Sequence, residues 1–85
     1  MFQVMFRITE MARRTGASVD EVRYLERKGF LTSVRTRLLR REVRQFDESD
    51  AEKLRIAIKY RRQGFTWDAS CHKAQLELAN PTPFD

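Results

Sequence analysis

The 85-residue sequence holds one cysteine, Cys71, so no disulfide can close within the chain, which fits a reducing, cytoplasmic setting. It holds one histidine, His72. On a helical stretch the adjacent Cys71 and His72 diverge, while a metal needs three or four convergent ligands, so neither a metal nor another cofactor is expected. No apolar run approaches ~18 residues, so no helix that spans a membrane is expected. The opening "MFQVMFRITEM" is too short and too polar to read as a signal peptide. There is no glycine loop able to cradle phosphate and no internal repeat or low-complexity tract. Asp47, Glu48, Asp50 and Glu52 suit the positive end of a helix rather than a catalytic pair. Ser18 reads as a helix cap, not a nucleophile. No enzyme is expected.

What is present is charge, with 17 Lys and Arg against 12 Asp and Glu, a net +5 dominated by arginine. With 41% apolar and 34% charged residues the composition is that of a globular domain. A chain this size buries roughly 60–65% of the surface its unfolded form exposes, so the core is modest. One domain over residues 1–80 and an irregular tail, 81–85, account for the length. A small basic domain points first to double-stranded nucleic acid, then to an acidic protein or an anionic membrane.

Gly16, Gly29 and Gly64 each follow a stretch with helical spacing, where a C-cap prefers glycine. Before them, Val4, Phe6 and Ile8 alternate with Gln3, Met5 and Arg7, an extended lead-in with one apolar face. Thr9 is placed to cap a helix "EMARRT" with Met11 and Ala12 inward. Ser18-Val19-Asp20-Glu21 has the spacing of a capping box and opens a second helix whose stripe is Val22 and Leu25. Residues 32–46 lack clean helical periodicity, and Val34, Thr36, Val43 and Phe46 favour two short strands with a tip near Leu38 to Arg41. A helix over 36–44 is the rival reading. Asp47 or Ser49 caps a third helix, with Leu54, Ala57, Ile58 and Arg61 on one face. Thr66 caps a fourth, with Trp67, Cys71, Ala74 and Leu78 in register, and Asn80-Pro81 ends it. The fold class is therefore mainly α: about four helices plus a short two-stranded wing.

Two short helices joined by a glycine-containing turn outline a helix-turn-helix, whose second helix enters the major groove. With Val22 and Leu25 inward, Ser18, Val19, Asp20, Arg23, Tyr24 and Arg27 are the candidate contacts on that helix. Arg23 has the reach for a guanine edge or a phosphate. Arg35, Arg37, Arg40, Arg41 and Arg44 fall within ten residues, against one acid, Glu42. A wing lying along phosphates gives that run a purpose, since each neutralised phosphate releases counterions. A helix hairpin with a merely solvated charged face is the plainer alternative.

These residues carry a family likeness. "ITEMARRTGASVDEVRYLERKGFL" resembles the run from lead-in to recognition helix in MerR-type transcriptional regulators, a winged helix-turn-helix family. Arg44-Gln45-Phe46 is similar to the family's wing ending, and Asp50, Leu54, Arg61, Gly64, Phe65 and Thr66 to the pattern after it. The resemblance implies a four-helix winged domain that docks in the major groove. It places the recognition-helix arginine and tyrosine on Arg23 and Tyr24 and the wing arginine on Arg44. Phe46 stands for the usual tyrosine, Leu25 for a second aromatic, and the usual Gly-Tyr of the wing tip is missing. The family normally continues into a long helix that pairs as a coiled coil. Pro81 and Pro83 forbid continuing the last helix, so that dimer is not expected in its familiar form. The expected function is a MerR-type DNA-binding regulator, helped by further copies bound cooperatively or by a regulatory protein partner. A small architectural or excisionase-like DNA-binding protein is one alternative. A protein-interaction module or antirepressor is another.

Overall fold

In the computed structural model, which describes residues 4–79, the chain runs β1 (Met5–Arg7), α1 (Ile8–Thr15), α2 (Val19–Arg27), β2 (Val34–Leu38), β3 (Arg41–Asp47), α3 (Glu48–Arg62) and α4 (Trp67–Ala79). The tail, with the expected stop at Asn80-Pro81, lies outside the described residues.

The first helix begins earlier than the sequence suggests. Arg7 pairs with Gln45 across the sheet and is held extended at φ −77, ψ 166. It is therefore the N-cap residue, without a side-chain bond, and Thr9 sits inside the first turn instead of capping it. Val4 is 56% exposed rather than inward, because the apolar face of the lead-in begins only at Phe6. Met11, Ala12 and Thr15 are buried, and the Thr15 hydroxyl donates to the Met11 carbonyl at 2.7 Å. Gly16, at φ 80, takes the left-handed cap that ends the helix.

The capping box forms. Glu21 N donates to Ser18 Oγ at 3.1 Å, and Ser18 N donates to Glu21 Oε1 at 2.9 Å. Val22 and Leu25 are fully buried. After the helix, Phe30 N and Leu31 N both donate to the Leu25 carbonyl, which folds Phe30 and Leu31 back into the core.

The sheet has three antiparallel strands in the order β1-β3-β2, one more than the two-stranded wing expected. The lead-in joins it because Phe6 sits directly across from Phe46, and both rings are buried. Pairing from Val34↔Gln45 to Leu38↔Arg41 rules out the helical rival for 36–44. The hairpin turns through Leu39 and Arg40, with Leu39 at φ 55. An L-residue there costs roughly 1–2 kcal/mol, and Asn or Gly is the usual choice.

Asp47, not Ser49, caps α3: its Oδ1 accepts from Asp50 N at 3.0 Å and from Ser49 Oγ at 2.7 Å. Ala51, Leu54, Ala57 and Ile58 are buried on the inner face. Arg61 lies at its edge, its guanidinium over the Trp67 ring. Thr66 caps α4 as expected, accepting from Ala69 N at 3.2 Å. The inward face of α4 is turned from the predicted one. Ser70 and Ala74 are fully buried and Glu77 bonds Tyr60 and Lys59, so the sector centres on 70, 74 and 77. Leu78 falls off its edge and is 40% exposed.

Candidate nucleic-acid interface

Capping by Ser18 and burial of Val22 and Leu25 fix how α2 is rotated, and so which residues face out. Asp20, Arg23 and Arg27 are exposed. Ser18 is exposed as well, with its hydroxyl bonded to Glu21 N. Val19 and Tyr24 are not on the outer face as expected. Val19 is half-buried against the core. Tyr24 is half-buried with its ring 6.2 Å from that of Trp67. The reason is α4: Lys28, one turn beyond Tyr24, donates to Asp68 Oδ1 at 2.7 Å and draws this side of α2 towards the start of α4. Tyr24 is thus a brace between helices, and Trp67 is its packing partner.

The wing arginines divide between two faces. Arg35 pairs with Arg44 and Arg37 with Glu42, so these four side chains share one face. Phe46 lies at the base of that face, in the core. Arg41 belongs to the opposite face with Val43 and Gln45, and Arg40 is at the tip. The alternation sets Arg41 on the face away from Arg35, Arg37 and Arg44, so the wing arginines do not form one surface.

The two elements meet in an open cleft of about 430 Å³ lined by Arg23, Glu26 and Arg27 from α2 and by Arg35 and Arg44 from the wing. Arg44 Nη1 donates to Glu26 Oε1 at 3.1 Å, and the Ser33 hydroxyl donates to Oε2 of the same carboxylate. The ion pairs Arg23–Asp20 at 3.6 Å and Arg35–Glu42 at 3.7 Å are long and exposed. Arg27, Arg37, Arg40 and Arg41 make no ion pair among the described residues. A second, smaller cleft beside the end of β1 is lined by Arg7, Ile8, Arg23, Val43 and Arg44. Arg7, Ile8, Glu26 and Val43 line these clefts without having been among the candidate contacts. The signal for Arg7 was a basic residue directly before a helix start.

The frame behind the cleft is cross-tied. Arg62, at the end of α3, donates to both oxygens of Glu21 and to the Gly16 carbonyl, clamping the turn between α1 and α2. Burial pushes the Glu21 carboxyl up, but the Arg62 guanidinium and the Ser18 N–H outweigh it, and its pKa lies below the ordinary value. The candidate surface therefore sits on held elements, which is what oriented guanidinium contacts require.

Among the described residues no three His, Cys, Asp or Glu side chains are grouped to hold a metal. Cys71 is half-buried, with its thiol pushed up by burial, and His72 is exposed. No helix among these residues is long and apolar enough to cross a membrane.

Four guanidinium groups around an open groove, supplied by a helix and a hairpin, can take up the phosphates and base edges of a duplex. A family model described as MerR HTH family regulatory protein matches residues 6–73, well over half of the chain. No curated protein matches the sequence. The chain belongs to the MerR helix-turn-helix family of regulatory proteins, a DNA-binding family rather than a family of enzymes.

Proposed function

We propose that this MerR-family chain regulates transcription by laying α2 in the major groove and its wing along the flanking backbone. Arg23 and Arg27 reach base edges or the nearest phosphates. Arg35, Arg37, Arg40 and Arg44 engage phosphates, and Arg41 contributes least because it belongs to the opposite face of the sheet. Ser18 and Asp20 lie at the leading end of α2, where an exposed polar group meets the groove first. Tyr24 acts from behind, by fixing the helix against Trp67.

The observation that carries this reading is the cleft in which arginines of α2 and of the wing converge on one open groove. A merely solvated charged face has no reason to bring cations from separate elements together against their mutual repulsion. Selection of binding sites from random duplexes tests the proposal. Enrichment of a defined motif, flattened by R23A, supports it. Absence of both enrichment and duplex retention at low salt rejects it and leaves a protein-interaction module.

A further inference from the structure

The cleft between α2 and the wing has the size of a small-molecule site but not the usual lining of one. Its volume of about 430 Å³ lies within the ~300–1,000 Å³ common for such sites. Those are lined mostly by apolar and aromatic side chains, whereas this cleft is lined by four arginines and one glutamate. A ligand held by a ring or an aliphatic chain finds nothing there to pack on. A compact ligand of high negative charge finds four guanidinium forks.

Those forks are poorly satisfied within the chain. Arg27 makes no ion pair among the described residues. The carboxylates nearest Arg23 and Arg35 stand at 3.6 and 3.7 Å, in water. Arg44 is held more closely, by Glu26 at 3.1 Å, and Ser33 fixes the other oxygen of that carboxylate, so Glu26 is not free to swing towards Arg27. One carboxylate against four guanidiniums leaves the lining with three positive charges in excess. The smaller cleft, about 250 Å³, shares Arg23 and Arg44 with the larger one and adds Arg7, which also makes no ion pair among the described residues. The two clefts make one furrow, supplied with cations by β1, α2, β2 and β3. Linked phosphoryl groups match it: they are compact, carry several negative charges, and accept bidentate bonds from guanidiniums of different elements.

We propose that this furrow binds a linear polyphosphate group, two or three linked phosphoryls, whether inorganic or the tail of a nucleotide, and that its occupation releases DNA. Arg23 and Arg44, common to both clefts, hold the chain at its centre, with Arg27 and Arg35 beside them. The release of DNA rests on the duplex reading above, because the same guanidiniums serve both ligands. The site itself rests on the shape and charge of the furrow.

The test is isothermal titration calorimetry of the whole chain with sodium tripolyphosphate at fixed ionic strength. Saturable binding of one tripolyphosphate per chain is expected. Arg27→Gln, and Arg35→Gln from the wing, should each weaken it about tenfold. Arg55→Gln removes an exposed arginine that is paired with Glu52 on α3 and lines neither cleft, and should change it less than about twofold. Adenosine triphosphate should bind within about threefold of tripolyphosphate, since no aromatic side chain lines the furrow. Tripolyphosphate should also release a fluorescein-labelled duplex where sodium chloride of equal ionic strength leaves it bound. Non-saturating heats, or equal losses in R27Q and R55Q, overturn the site and leave only diffuse screening. Much tighter binding of the nucleotide overturns the assignment to the phosphoryl chain. Duplex binding without tripolyphosphate binding overturns the site and leaves the duplex reading standing. Tripolyphosphate binding by a chain that retains no duplex at low salt supports the site and overturns the duplex reading, and with it the release of DNA.

Discussion

Arg44 of the wing donates to Glu26 of α2 at 3.1 Å, and this pair sets the angle between the two elements proposed to hold DNA. The Ser33 hydroxyl holds the other oxygen of Glu26, so the carboxylate is a fixed post rather than a mobile counter-ion. It is also the one negative charge lining a cleft that holds Arg23, Arg27, Arg35 and Arg44. Glu26→Gln keeps one acceptor oxygen for Arg44, turns the other atom into an amide nitrogen that donates to the Ser33 hydroxyl, and removes that charge. Duplex affinity at low salt should rise several-fold, with the gain fading at high salt as the field is screened. Fluorescence anisotropy on a mixed-sequence duplex reads it. A loss of affinity would show instead that the charged pair is needed to aim the wing.

Arg23 is more than half exposed on α2 and loosely paired with Asp20 at 3.6 Å. Arg23→Ala should weaken binding to a selected site more than to a scrambled one, by ~1–3 kcal/mol of discrimination. Equal loss on both duplexes would reduce Arg23 to a backbone contact.

The division of the wing arginines makes a directional prediction. Single changes of Arg35, Arg37 and Arg40 to Gln should each flatten the slope of log K against log[salt] by about 0.9. Arg41→Gln, from the other face of the sheet, should flatten it least. If Arg41 has the largest effect, the wing approaches DNA by its opposite face.

How far the sequence was legible follows from which interactions are local. The capping box at Ser18, the Gly16 C-cap and the Val22–Leu25 stripe rest on residues within one turn of each other and formed as expected, as did Asp47 of the two caps offered for α3, whereas Gly29 and Gly64 each stand one residue past the C-caps Lys28 and Gln63. The errors arose from partners distant in the chain. β1 becomes a sheet edge only because Phe46, forty residues on, lies across from Phe6. Tyr24 turns inward because Trp67 is there to meet it. Leu78 is exposed because Glu77 is held by Tyr60 and Lys59. The cleft itself shows the same split: Arg23, Arg27, Arg35 and Arg44 were visible as residue types, but Glu26 between them emerged only from the crossing of α2 and wing.

Ser18 bonds Glu21 in both directions, and Arg62 reaches that same carboxylate from α3. Ser18→Ala should lower stability by ~1 kcal/mol, read as a shift in the thermal midpoint by circular dichroism. Undiminished stability together with lost duplex binding would move Ser18 from the frame to the interface.

The last prediction concerns acid. Asp47 caps α3, and its carboxyl lies below the ordinary value because Asp50 N–H and the Ser49 hydroxyl bond to it. A carboxylate lowered in the folded state stabilises the fold above its unfolded value, near ~4, and that contribution is lost as pH falls through the folded value. Glu21 acts in the same direction. Asp50 opposes them: burial raises its pKa, so protonation relieves a cost and adds stability as pH falls. With Asp47, Glu21, Glu10 and Glu77 shifted down against Asp50 shifted up, the thermal midpoint should decline between pH ~5 and ~2. Asp47→Asn preserves a good capping acceptor and removes its titration. Its midpoint should start somewhat below the wild type at neutral pH, where the charged cap also favours the helix N-terminus, and fall less steeply, so that the two curves converge in acid. Circular-dichroism melts at half-unit pH steps measure this. Parallel curves for D47N and the wild type would show that Asp47 does not carry the acid sensitivity and leave it to Glu21, Glu10 and Glu77, whose carboxyls also lie below the ordinary value.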